Sequence, residues 1–153
     1  MARGLIDLGA RLGMQVECAM TYGASPIGRT VGPGLEVVEA IRVLETMQGP
    51  NSLIEKSVGL AGLMLEMGGA AGKGEGRNMA YEILKSGKAL AKLREIIEIQ
   101  GGNPDETVSD IPIGDNTAQI VAPANGYVVE FHNKRIVEIA RLPEHPMIKG
   151  QGS

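Results

Sequence analysis

A chain of 153 residues, 43% apolar and 22% charged, has the composition of one folded soluble domain rather than of a disordered segment. A formal charge of −3, with three Tyr, one Phe and no Trp, excludes the usual nucleic-acid binder, which carries a basic face and aromatic stacking platforms. The lone Cys18 excludes an internal disulfide and suits a reducing compartment; within the apolar run VECAM it reads as a small buried hydrophobe.

In chain order, Gly4 to Met14 places Leu5, Leu8 and Leu12 on one helical face, and its internal glycines make it a marginal helix. The N-terminus mixes Arg and Asp into this segment, unlike a signal peptide, and no apolar run approaches the roughly 20 residues needed to cross a bilayer. A cytoplasmic protein with no membrane partner is the expectation. Val16 to Tyr22, VECAMTY, reads as a buried strand ending at Gly23. The corner SPIGRTVGPG follows, and then Leu35 to Met47 carries the apolar stripe of an amphipathic helix. Ser52 and Glu55 form a capping-box pattern that opens a second helix, LIEKSVGLAGLMLEM, apolar on most sides and small enough in places for close backbone approach. A glycine-rich loop spans Gly68 to Asn78. A third helical pattern runs from Met79 to Gln100, with a restart near Ser86-Gly87, and ends at the glycines of QGGNPDE. Beyond it, TAQIVAPANGYVVEF pairs two β-prone runs around Pro123 to Gly126 and reads as a hairpin. Asn133 to Leu142 reads as a short helix. The division expected is a helix-rich body over 1–105, a β-type annex over 111–142 and a flexible tail over 143–153. The fold class expected is α/β (α+β): a partial α/β domain with a short β-hairpin annex.

Few residues carry recognisable chemistry. The loop 72–76 has the glycines of a phosphate cradle but lacks the Lys-Ser/Thr ending and the preceding strand, so it reads as an interhelix connection. His132 and His145 have no partners at zinc-ligand spacing, and no nucleophile elbow occurs. Glu36 and Glu39 share one helix side just after the Pro-Gly corner. Such acids usually face solvent, favoured by the helix dipole. The sharper alternative is that Glu39 reaches back to the corner, where inward carbonyls would complete an all-oxygen cation shell.

The blocks SPIGRTVGPGLEVVEAI, GPNSLIEKSVGLAGLMLEMGG, KSGKALAKLREIIEIQGG and APANGYVVEFHNKRIVEIAR resemble, in order, the thymidine and pyrimidine-nucleoside phosphorylases. VECAMTYGASPIG and DIPIGDNTAQIVAPANGYV are closer to their archaeal relatives, the AMP phosphorylases. The resemblance covers residues 3 to about 141. It implies the latter part of the family's large α/β domain and the opening of its β-rich C-terminal domain. By the same resemblance, the phosphate-binding glycine motif and the base- and ribose-holding segment lie upstream of this stretch. No catalytic residue is therefore transferable. One site of some bacterial members does map: a potassium ion bound through two backbone carbonyls and a glutamate, here Ile27, Thr30 and Glu39, with its remaining ligands in the upstream phosphate loop, so that this stretch offers half a shell and the ion is expected for the parent enzyme. Thr30 replaces an alanine of the family pattern, Pro33 an asparagine and Gly34 an alanine.

The activity implied for the parent is phosphorolysis, in which phosphate and a nucleoside or nucleotide give a free base and a sugar phosphate. For archaeal relatives this is AMP to adenine and ribose 1,5-bisphosphate. The stretch itself, with no cofactor of its own, is expected to be inactive. A rival reading is a non-catalytic module that self-associates into a homo-oligomer through uncovered sheet edges and apolar faces. A biotinyl- or lipoyl-like carrier is disfavoured, because Lys134 follows the first hairpin in a helix-like run.

Overall fold

The computed structural model describes residues 2–114 and 117–141. Six α-helices occur among them: α1 (Ala2–Arg11), α2 (Pro33–Thr46), α3 (Asn51–Met67), α4 (Gly76–Lys85), α5 (Lys88–Ile99) and α6 (Asn133–Arg141). A 3₁₀ turn, Val108–Asp110, lies against α2. The expected tail over 143–153 falls outside the described residues.

Local chemistry sets most of the boundaries. Helix α2 starts on Gly32, whose φ of 121° needs glycine, with Pro33 at the first helical position where its missing N–H costs nothing. It stops where Met47 turns left-handed (φ 56°) and donates its N–H to Val43. Gly87, also left-handed at φ 75°, separates α4 from α5, so the restart near Ser86-Gly87 is real. Helix α5 closes with a paired C-terminal motif: Gly102 N–H donates to Ile97 O (2.9 Å) and Gly101 N–H to Glu98 O (2.9 Å). The capping box expected at Ser52 and Glu55 does not form. Helix α3 begins after Pro50 with no side-chain cap, and the Ser52 hydroxyl faces the Gly28 amide at 3.5 Å instead.

The core lies where α2, α3 and α4 meet. Val43, Ile54, Val58, Ala80 and Leu84 are buried there, flanked by Leu44, Met47, Leu53, Leu65 and Ala89. Helices α3 and α4 approach backbone to backbone, as the small residues of α3 foretell. A Cβ on Gly62 would lie 2.5 Å from the Arg77 nitrogen, and one on Gly76 would lie 2.1 Å from the Gly62 carbonyl oxygen. Glu66 fastens the same crossing by accepting the Gly76 N–H at 3.0 Å. The α3 helix is buried only on that side; Met64, on another face, is 72% exposed.

The α/β expectation fails. Among the described residues there is no strand and no sheet. The runs 16–22 and 119–131 have β-type composition, yet neither makes a backbone–backbone hydrogen bond there, and Met20 and Tyr127 are almost wholly exposed. The reason is geometric. A helix satisfies its own backbone, whereas a strand requires a neighbouring strand, and none is found alongside either run among the described residues. Cys18 shares this fate. It is exposed rather than buried, with its thiol toward Ala2 O at 3.8 Å.

Candidate functional site

The corner before α2 is the most elaborately bonded loop among the described residues. Its polarity follows from α2. The Glu39 carboxylate, just beyond the first turns, accepts the Arg29 N–H at both oxygens (3.1 and 3.2 Å) and the Thr30 hydroxyl at Oε2 (3.1 Å). Glu36, one turn earlier, accepts the Gly32 N–H at 2.9 Å. Neither acid is a merely solvated residue of the helix face. Gly28 is required twice over: its φ is 85°, and a Cβ there would fall 2.2 Å from Glu39 Oε2. The contorted backbone therefore delivers donors to a carboxylate of its own chain.

Two further ties hold the corner from outside. The Lys56 ammonium on α3 donates to Tyr22 O (3.1 Å). Asn133, the first residue of α6, donates through Nδ2 to Gly23 O (3.2 Å) across 110 residues of sequence. Between α2, α6 and the corner lies a cavity of about 520 Å³. Ile27, Thr30, Glu36, Glu39 and Asn133 line it, with Val31, Ala40, Leu53, Ile136 and Val137 as its apolar walls. The three residues singled out by resemblance, Ile27, Thr30 and Glu39, are thus brought to one hollow. Asn133 was not legible as part of it. The only signal was an asparagine at a helix start, which ordinarily reads as a cap.

The Asn133 Oδ1 atom is buried and accepts no hydrogen bond among the described residues. Among those residues no cluster of three or more His, Cys, Asp or Glu side chains is placed to hold a metal ion. The glycine-rich loop 68–75 makes no anion cradle at the start of α4, because Glu66 already occupies the Gly76 amide. A second polar knot lies at the 3₁₀ turn, where Asp110 Oδ2 accepts both the N–H and the hydroxyl of Thr107 at 2.7 Å. The Thr107 hydroxyl, then its amide, holds the Asp110 carboxyl below its ordinary pKa.

Comparison with known proteins then places the stretch. Over 152 residues, 99% of this chain, it is 62% identical to an AMP phosphorylase of Methanococcoides burtonii and 63% identical to one of Methanosarcina barkeri. A Pyrococcus furiosus AMP phosphorylase is 58% identical over the same share. The sequence matches one stretch of proteins named AMP phosphorylase. It spans about 30% of the length of the curated relatives it matches. No family model matches the chain. Among the described residues no helix is long and apolar enough to cross a membrane.

Proposed function

We propose that this stretch is the corner-and-helix part of an enzyme that cleaves AMP with inorganic phosphate, releasing adenine and ribose 1,5-bisphosphate. Its role there is scaffolding. The observation that carries the reading is identity of 53–63% along 99% of the chain to proteins named AMP phosphorylase. Phosphorolysis needs donors aimed at phosphate and a proton donor for the leaving base. The corner amide of Arg29 and the start of α4 are already committed to carboxylates of this chain, so neither is free to hold an anion. The chain alone is therefore expected to leave AMP and phosphate unchanged, measured as adenine by chromatography. A chimera of the Methanosarcina barkeri enzyme, with its matching stretch replaced by this one, is expected to release adenine only when phosphate is supplied. A folded chimera without that activity would overturn the reading.

A potassium-type ion at Ile27, Thr30 and Glu39 belongs to the same proposal, for the parent enzyme rather than for this stretch alone. The donor set on this stretch is partial. A carboxylate offers about four lone-pair sites, and the loop uses three, leaving one on Oε1 of Glu39 beside the hollow that Ile27 and Thr30 line. The ion would add charge balance and rigidity at the corner. The division into a body over 1–105 and an annex over 111–142 is kept as part of this reading.

A second reading is favoured by the exposed β-prone runs. Ile120, Tyr127 and Val129 stand almost fully in solvent without ladder partners, and such segments pair between copies. On this reading the chain self-associates into a homo-oligomer. Sedimentation is expected to show mass above the monomer that grows with concentration; a monomer throughout would refute it.

A further inference from the structure

The carboxamide carbon of an asparagine can be attacked by the amide nitrogen of the residue that follows it. The attack needs a small following residue, access for solvent and a backbone that can bring the two atoms together. Of the six asparagines, Asn125 alone is followed by glycine. Asn51, Asn78 and Asn133 lie in α3, α4 and α6, where helical backbone fixes the next amide, and the Asn133 carboxamide is further tied to Gly23 O. Asn103 precedes Pro104, which has no amide proton to lose. Asn125 and Gly126 are both exposed, and neither makes a backbone–backbone hydrogen bond among the described residues. The turn that would clamp them is not formed: a tight Asn-Gly hairpin turn needs positive φ at both residues, and neither has it. A Cβ built on Gly126 would meet nothing within 4 Å, so the space around this glycine is open.

We propose that Asn125-Gly126 is a site of spontaneous covalent modification, at which the chain converts its own asparagine to aspartate and isoaspartate. The Gly126 amide nitrogen, having lost its proton to hydroxide, forms a bond to Asn125 Cγ. The Cγ–Nδ2 bond breaks, ammonia leaves, and a succinimide ring is closed. Water then adds to one of the ring carbonyls and opens the ring. Cleavage of the new nitrogen–Cγ bond gives aspartate; cleavage of the bond to the Asn125 main-chain carbonyl carbon gives isoaspartate, in which the main chain runs through Cγ. Either product adds one negative charge to a chain of formal charge −3. Isoaspartate also lengthens the main chain by one carbon inside the β-prone run 119–131, which breaks the register that any ladder on that run would need.

The test is to age the whole chain at neutral pH and physiological temperature, in parallel with the same chain unfolded in guanidinium chloride at the same pH. Peptide mapping by mass spectrometry follows each asparagine, heavy-oxygen water labels the new carboxyl, and electron-transfer fragmentation tells isoaspartate from aspartate. Native and unfolded chains are expected to lose the Asn125 amide at rates within about threefold of each other, because nothing in the fold protects it. Asn51, Asn78 and Asn133 are expected to react more slowly in the native chain than in the unfolded one. Gly126→Ala is expected to slow the loss at Asn125 at least about tenfold, the equivalent of about 1.4 kcal/mol in barrier. The product is expected to contain isoaspartate, and the rate to rise in proportion to hydroxide. Native protection of Asn125 beyond about threefold would mean that the fold clamps this turn, and would overturn the proposal. So would an unchanged rate in Gly126→Ala. Loss of the amide without isoaspartate would mean direct hydrolysis by water rather than attack by the Gly126 nitrogen, and the proposal would fail on that result too.

Discussion

Gly62→Ala on α3 separates intrinsic helix preference from helix packing, and Gly59→Ala on the same helix is its control. Both replace a helix-interior glycine, and each gains about 0.8–1 kcal/mol of helix propensity. A Cβ at Gly59 meets nothing within 4 Å, so that gain is expressed in full. At Gly62 the new carbon would sit 2.5 Å from Arg77 N and 2.7 Å from Gly76 C, both backbone atoms that cannot swing aside. Reaching the 3.4 Å of ordinary contact requires a displacement of about 0.9 Å between α3 and α4 (3.4 − 2.5). A radial gap of about 0.5–1 Å forfeits a quarter to a half of each dispersion contact across it. Val58, Ala80 and Leu84 lie in the core cluster at this crossing. Overpacking of this kind costs about 1–3 kcal/mol, and here the upper part of that range applies because the obstruction is main chain. Net of propensity, Gly62→Ala is expected to destabilise by about 2 kcal/mol and Gly59→Ala to stabilise by about 0.5–1 kcal/mol. Melting points followed by far-ultraviolet circular dichroism should then differ by about 5–12 °C, at roughly 2–4 °C per kcal/mol for a chain of this size. Equal shifts in the two variants would refute the reading of α3–α4 as a glycine-dependent crossing.

Other expectations follow from the corner and the 3₁₀ turn. Glu39→Ala removes the acceptor of the Arg29 N–H and the Thr30 hydroxyl, and hydrogen bonds to a charged group contribute about 1.5–3 kcal/mol. Hydrogen exchange at the Arg29 amide should quicken by at least tenfold; an unchanged rate would mean the carboxylate does not hold the loop. Gly28→Ala should be destabilising by 1 kcal/mol or more, roughly, since the left-handed backbone resists a side chain even if Glu39 swings away. Chemical denaturation checks it, and a neutral result would sink the steric reading. Because Asp110 is held below its ordinary 3.8, its contribution to stability is present above that pH and is lost as pH falls through the lower folded-state value. An NMR titration of its carboxyl should give a midpoint below 3.8, moving upward in Thr107→Ala; a midpoint at or above 3.8 in wild type would contradict the hydrogen-bonded turn.

The helices were largely legible because helical structure is written locally. The stripe from Leu35 to Met47, the break at Gly87 and the glycines after Gln100 each carry their own boundary, and each boundary is found. The small residues of α3 announced a close crossing, though not that its partner would be Gly76. The strands expected at 16–22 and 119–131 depended on partner strands that composition cannot supply, and none occurs among the described residues. Cys18 followed its run into solvent for the same reason. At the corner, the sequence offered a Glu39 reaching back to the loop only as the alternative to a solvated face, and gave no sign that amide and hydroxyl donors would meet it. The sign of a turn's polarity depends on φ and ψ at each glycine, which residue spacing does not encode. Asn133 was hidden because its partner Gly23 lies 110 positions away.

The bond from Glu66 to the Gly76 amide, together with the Gly62–Gly76 contact, has a practical corollary for handling this polypeptide. Those two fastenings orient the second helix of the pair without relying on the tether of residues 68–75 that joins it to the first. An epitope, a fluorophore site or a protease recognition sequence spliced into that tether, for instance beside Lys73, is therefore expected to leave the paired helices standing even after the chain is cut there.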